Sequence, residues 1–141
     1  MRAVLTLVVV AFGALMASAF AFSQDDRWDF AAPHKKRCSL GTMLDMNRCL
    51  ADEYKKVDAR LNDVYRQLTA SLADPSALRK SQAAWVKFRD LDCEYASSGI
   101  TTDGSLRPFN DNACRIDMTE KRIRDLERYL QWDCNGCPPR K

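Results

Sequence analysis

A chain of 141 residues with 22 Lys and Arg against 19 Asp and Glu carries a net charge of only +3, too near balance for binding nucleic acid. One histidine, His34, leaves nothing to assemble into a Ser-His-Asp or Cys-His centre and no imidazole set for zinc, so no hydrolase, metal site or cofactor is expected.

The chain begins MRAVLTLVVVAFGALMASAFAF. Arg2, an apolar run from Ala3 to about Met16 and the small residues Ala17-Ser18-Ala19 read as a secretory signal peptide over residues 1–19, with a second cut site after Ala21. The uncharged stretch continues to Gln24, so an uncleaved anchor is the alternative; the crowding of small residues favours cleavage. No cysteine follows either cut, which argues against a lipid anchor. Losing Arg2 lowers the 22 basic residues to 21 against 19 acidic, a charge of about +2. The mature chain is expected in the periplasm or outside the cell, without stable membrane insertion, and its length suits one domain.

Residues 20–37 mix Gln, Asp, Pro and Lys without periodicity and read as a disordered lead-in to a helical domain at 38–137. Trp28 and Phe30 are the lead-in residues able to dock on that domain. The run His34-Lys35-Lys36-Arg37 reads as a solvated linker rather than a basic site.

From Thr42 the pattern turns helical. Met46, Leu50, Tyr54, Val57, Leu61, Val64, Leu68 and Leu72 recur in steps of three and four. Thr42 with Asp45 is a variant capping box, and Asp74-Pro75 ends this helix and opens the next. The second helix carries Leu78, Trp85, Phe88, Leu91 or Asp92, and Tyr95, and stops near Ser97-Ser98-Gly99. The third is expected to start between Asp111 and Cys114; it carries Ile116, Thr119, Ile123, Leu126 and Leu130 before Asn135-Gly136 and Pro138-Pro139. No segment alternates as a strand. The expectation is an all-α antiparallel three-helix bundle with a long loop, 94–113, between helices 2 and 3.

Six cysteines follow the signal: Cys38, Cys49, Cys93, Cys114, Cys134 and Cys137. An even count in a short exported chain reads as a disulfide framework. Measured from the turn at 74–75 by the helical rise, Cys49 lies ~37 Å up the first helix and Cys93 ~27 Å up the second. Cys38 and Cys114 belong to that same pole, and Cys134 and Cys137 return to the turn end. Bonded cysteines keep their Cα atoms within about 7 Å, so Cys134 is expected to pair with Cys137. At the far pole, Cys93–Cys114 with Cys38–Cys49 is favoured, and Cys38–Cys93 with Cys49–Cys114 is the fallback. A Cys93–Cys114 bridge closes a ring worth about 3 kcal/mol of loop entropy. It also holds the long loop on a rigid scaffold, where binding residues tend to lie.

Cys134-Asn135-Gly136-Cys137 has the C-x-x-C spacing, which suits a redox pair, half a metal site or a small structural disulfide. Because it follows a helix C-terminus, where the dipole disfavours a thiolate, a structural disulfide is the preferred reading. Asp58 and Arg89 stand at similar heights from the turn and are expected to face each other as a partly buried structural pair. The remaining carboxylates find no cleft in a narrow bundle, so no glycosidase-type acid pair is expected.

"TMLDMNRCLADEYKKVDARLNDVY" followed by "SQAAWVKFRDLDCEY" resembles the LprI-type lysozyme inhibitor family. That family's pattern falls here on Cys38, Thr42, Met46-Asn47, Cys49, Asp58, Leu61-Asn62, Tyr65, Gln82, Trp85, Phe88-Arg89-Asp90, Cys93, Gly104-Ser105, Cys114, Thr119, Arg122 and Leu126. The W-x-x-F-R-D-x-x-C run is its specific part, and Cys134–Cys137 is an addition to it. The resemblance implies a periplasmic or secreted helical domain that binds and blocks lysozyme without being an enzyme. Within the pattern, Asp58, Asn62, Trp85 and Arg89 are taken as structural. A protruding loop with hydrogen-bonding groups and one cation suits the acidic cleft of a lysozyme, and "GSLRPF" supplies Gly104, Ser105, Arg107 and Pro108. The alternatives are an envelope interaction or assembly module without lysozyme activity, using a helical face around Trp28 and Trp132, and a thiol oxidoreductase using Cys134 and Cys137.

Overall fold

Gly41 and Thr42 set where the scaffold begins. Gly41 adopts a left-handed φ of +92°, and a Cβ there would stand 3.0 Å from Asp45 Oδ2. Behind it the capping box closes: the Thr42 hydroxyl oxygen accepts from the Asp45 N–H, and the Asp45 carboxylate accepts from the Thr42 N–H at 3.0 Å. The computed structural model describes residues 33–101 and 103–141, arranged as α1 Pro33–Arg37, α2 Met43–Ser71, α3 Ser76–Ala96 and α4 Leu106–Leu130. The signal peptide and cleavage sites, most of the lead-in, and Trp28 and Phe30 lie outside the described residues.

The three long helices form the expected antiparallel all-α bundle. α4 is its central element, packing along both α2 and α3. Near the α2–α3 turn, Leu61, Val64, Leu68 and Leu72 close on Ile123 and Leu126. Toward the other pole, Leu50 closes on Ala113, Ile116 and Cys38. Burying such side chains contributes roughly 1.5–3 kcal/mol each, so α2 against α4 is the apolar seam of the molecule.

The second helix differs from expectation. Its large apolar residues do not form the buried face: Phe88 is 56 % exposed, Leu91 55 % and Tyr95 74 %. Gln82, Arg89 and Cys93 are buried instead. The reason is reach, because α3 meets α2 through long polar side chains rather than through close backbone approach. At its start, Asp74 accepts from the Ser76 N–H at 2.8 Å, and Pro75 stands just outside the helix.

Two further differences concern the ends of the bundle. The tail of the lead-in is helical: Pro33–Arg37 forms α1, His34 is buried with Nε2 3.4 Å from Asp117, and exposed Arg37 donates to Glu53 at 2.8 Å. α4 begins at Leu106, well before Asp111. Pro108 sits in its first turn, where a missing N–H is harmless. Phe109, Ala113 and Ile116 carry the apolar period through Asn110-Asp111-Asn112. The connection therefore shrinks to residues 97–105.

Beyond α4 the chain doubles back on α2. Ala73 donates to the Pro139 carbonyl and Lys141 to that of Ser71, both at 3.0 Å. Arg140 donates to Ser71 Oγ and to the Tyr129 carbonyl. The Cys134–Cys137 bond closes the bend that makes this return. Among the described residues no helix is long and apolar enough to cross a membrane.

Candidate functional site

The residues singled out in the sequence separate into an interior set and a surface set. Arg89 organises the interior. It is 5 % exposed; its Nε donates to Asp90 at 3.0 Å, and its Nη1 donates to Asp58 and to Thr119 Oγ1, each at 3.3 Å. Its guanidinium lies 5.5 Å from the Tyr54 ring centre and 5.3 Å from that of Trp85, a cation between two aromatic rings. The other face of this layer belongs to Arg122, buried 5.7 Å from the Trp85 ring and donating to Gln82 Oε1 at 3.0 Å. Asn62 donates to the second Asp58 oxygen at 3.1 Å. Arg115 extends the chain of charges by donating to Asp90 at 3.0 Å and Asp111 at 2.9 Å. Burial pulls its guanidinium down, but Asp111, Tyr54 and Asp90 outweigh that and raise it above the ordinary arginine value.

This layer joins α2, α3 and α4 at the level where the two apolar clusters leave off, and its carboxylates are taken up by arginines. Among the described residues no group of three or more His, Cys, Asp or Glu is placed to hold a metal. Asp58, Trp85 and Arg89 thus meet in one connected layer, with Arg89 buried, Asp58 half-buried and Asn62 joining from the exposed side. Gln82, Thr119 and Arg122, whose part in it was not expected, complete it.

The surface set lies at the pole of the disulfides. Cys38–Cys49 and Cys93–Cys114 are bonded there, with Cα separations of 5.5 and 5.7 Å. Between Cys93 and Cys114 the loop folds in short turns: Ser97 donates to the Cys93 carbonyl, Ile100 to that of Ser97, Gly104 to that of Thr101 and Arg107 to that of Gly104. At Gly104 a Cβ would sit 3.0 Å from Thr101 Oγ1, so the turn closes most easily on glycine. The Asn47 side chain, about one turn into α2, donates to the Ser105 carbonyl at 2.8 Å and fastens the loop's end to the scaffold. Ser105 and Pro108 are exposed, Gly104 and Arg107 partly so. Arg107 and Pro108 belong to the first turn of α4, not to the loop proper. Leu40 and Leu44 beside the start of α2, and Leu106 at the loop's end, add exposed apolar side chains that nothing in the sequence singled out, and Tyr95, expected on a buried stripe, joins them.

Three carboxylates tie the helix ends. The Thr42 hydroxyl and N–H hold Asp45 below the ordinary value of 3.8, Lys56 and then Arg37 hold Glu53 below 4.5, and the Ser76 N–H and hydroxyl hold Asp74 below 3.8. A depressed folded value gives stability that is fully present above the unfolded value and lost as pH falls through the folded one. Thermal melts are therefore expected to hold level from about pH 7 to about pH 5 and to fall below about pH 4. A melting temperature that rises on acidification below that point contradicts this assignment.

Comparison with known proteins places this geometry. Residues 35–126 match the family model described as lysozyme inhibitor LprI, a span that ends before the Cys134–Cys137 return. The chain is 29 % identical over 105 residues to an uncharacterized protein of Rhizobium meliloti, covering 64 % of this chain and 75 % of that one. It is 32 % identical over 97 residues to the uncharacterized protein YecT of Escherichia coli, covering 57 % of this chain and 60 % of that one. No solved structure matches it significantly.

Proposed function

The chain belongs to the LprI lysozyme inhibitor family, and from that premise we propose that it is an exported binding protein, periplasmic or secreted, that blocks lysozyme by protein–protein contact through segment 94–113. The observation that carries this reading is the double fastening of the loop. The Cys93–Cys114 bond closes its base, and Asn47 holds the Ser105 carbonyl at 2.8 Å. A loop ordered before binding loses little freedom on binding, and that saving appears as affinity. Its exposed chemistry suits a cleft lined by two catalytic carboxylates. Ser105 offers a hydroxyl, Arg107 a half-exposed cation two residues on, and Gly104 a backbone without a side chain in the way.

A turbidity assay with lysozyme tests the reading directly. Changing Ser105 and Arg107 together to Ala is expected to weaken inhibition about tenfold or more, or ~1.4 kcal/mol, with unchanged helix content. Undiminished inhibition by the double variant rejects the loop as the contact. No inhibition by the parent chain points instead to an envelope interaction module without lysozyme activity.

A further inference from the structure

The outer face of α3 is the largest feature that neither the bundle nor the loop explains. Ala84, Phe88, Leu91 and Tyr95 follow one another at helical steps of four, three and four, and all are exposed. They stand opposite Gln82, Arg89 and Cys93, the buried side. α3 thus turns Gln82 and Arg89 inward beside Leu78 and Trp85 and leaves a second apolar stripe toward solvent, unlike an ordinary surface helix. A run of large apolar side chains left outward in this way marks an interaction surface.

Charge narrows what can cover it. Asp92 lies one turn beyond Phe88 on one flank of the stripe, and Glu94 lies one turn beyond Leu91 on the other. Arg89 is directed inward onto Asp58, Asp90 and Thr119, which leaves Lys87 as the exposed cation of residues 86–96. Lys80 and Lys87 border the start of the stripe, whereas its end, from Phe88 to Tyr95, carries the two carboxylates: a local acidic border in a chain of net charge +3. Tyr95 ends the stripe two residues before Ser97, so the face runs into the fastened loop.

We propose that Phe88, Leu91 and Tyr95, rimmed by Asp92 and Glu94, form a second contact surface, continuous with the loop, that docks a protein presenting lysine and arginine side chains. The inference rests on the lysozyme reading above and names the face of the partner that it takes: the basic exterior of an animal lysozyme beside its cleft. Net charge cannot steer two positive proteins together, whereas a local acidic rim can orient a basic partner at short range.

The test measures binding of the exported chain to hen lysozyme, and to the same lysozyme with its lysines succinylated, at low and physiological salt. Asp92→Lys with Glu94→Lys is expected to slow association about tenfold and to flatten its salt dependence. Leu91→Ala with Tyr95→Ala is expected to speed dissociation by about tenfold. Succinylated lysozyme is expected to bind at least about tenfold more weakly. Leu91, Glu94 and Tyr95 are exposed and Asp92 is half-buried, and matching circular dichroism checks that the variants fold. If the parent chain binds while both double variants bind within about twofold of it, the face is wrong and the lysozyme reading stands. If the parent chain does not bind hen lysozyme, both fail. A chain that is dimeric alone and becomes monomeric with Leu91→Ala and Tyr95→Ala assigns the face to a second copy and also overturns the proposal.

Discussion

Replacing Arg89 by alanine is expected to lower the stability of the fold by about 3 kcal/mol and the melting temperature by more than about 10 °C. Three losses combine. The guanidinium leaves its place between Tyr54 and Trp85, where each cation–ring contact is worth about 0.5–2 kcal/mol. The hydroxyl of Thr119, a residue with 0 % exposure, loses its donor. Asp58 and Asp90 lose a cation, but Asp58 remains 38 % exposed and Asp90 keeps Arg115, so water and the second arginine recover part of that term. The same reasoning gives an asymmetry. Asp58→Ala should cost only about 1 kcal/mol, because its partner keeps Asp90, Thr119 and both rings. Lysine at position 89 should rescue little, since it lacks the planar fork that reaches two carboxylates and stacks on both rings. Chemical denaturation of the three variants checks the order; equal losses for Arg89→Ala and Asp58→Ala contradict the layer described here.

Removing the Cys93–Cys114 bond, by alanine at both positions, is expected to destabilise the chain by about 3 kcal/mol and to weaken lysozyme inhibition beyond what the lost stability explains. The sulfurs close a segment with a sequence separation of 21, and the unfolded chain regains that freedom when the bond is gone. The functional part of the loss has a different origin. Asn47 alone would then hold the loop's end, and its turns would have to order on binding. Inhibition measured well below the melting temperature, where the variant is folded, separates the two effects. Equal potency of the variant there would mean that the ring serves stability alone. The Cys134–Cys137 bond spans a separation of 3 at the opposite pole, so its loss should leave inhibition unchanged.

The sequence was most readable where burial is apolar and local. α2 announces itself through a stripe that the structure buries against α4, and the two poles of cysteines follow from helical rise alone. It was least readable where polar residues do the packing. Periodicity in α3 marks two candidate faces, and hydrophobicity picks Phe88, Leu91 and Tyr95. The inward face is Gln82, Trp85 and Arg89 because partners on other helices satisfy them, and those partners are distant in sequence. The start of α4 was hidden for a local reason. Pro108 and Asn110-Asp111-Asn112 look like breakers, yet proline suits a first turn and the apolar period runs through them. His34 gave no signal at all; its burial depends on α1 folding over Cys38 and Asp117.

The family pattern divides along the same line. Gln82, Trp85, Arg89, Thr119 and Arg122 build the frame, and Asn47 and the cysteines fasten the loop to it. The pattern thus spans both parts of the molecule: its buried residues build the scaffold, and Gly104-Ser105 lie on the fastened loop.

Amide hydrogen exchange of the chain, alone and with saturating lysozyme, tests this account most directly. Protection on binding is expected in residues 97–107 and the last turns of α3, with the turn at 72–75 and the returning C-terminal segment unchanged. Protection confined to that opposite end, or none anywhere, contradicts an inhibitor that works from its disulfide-tied pole.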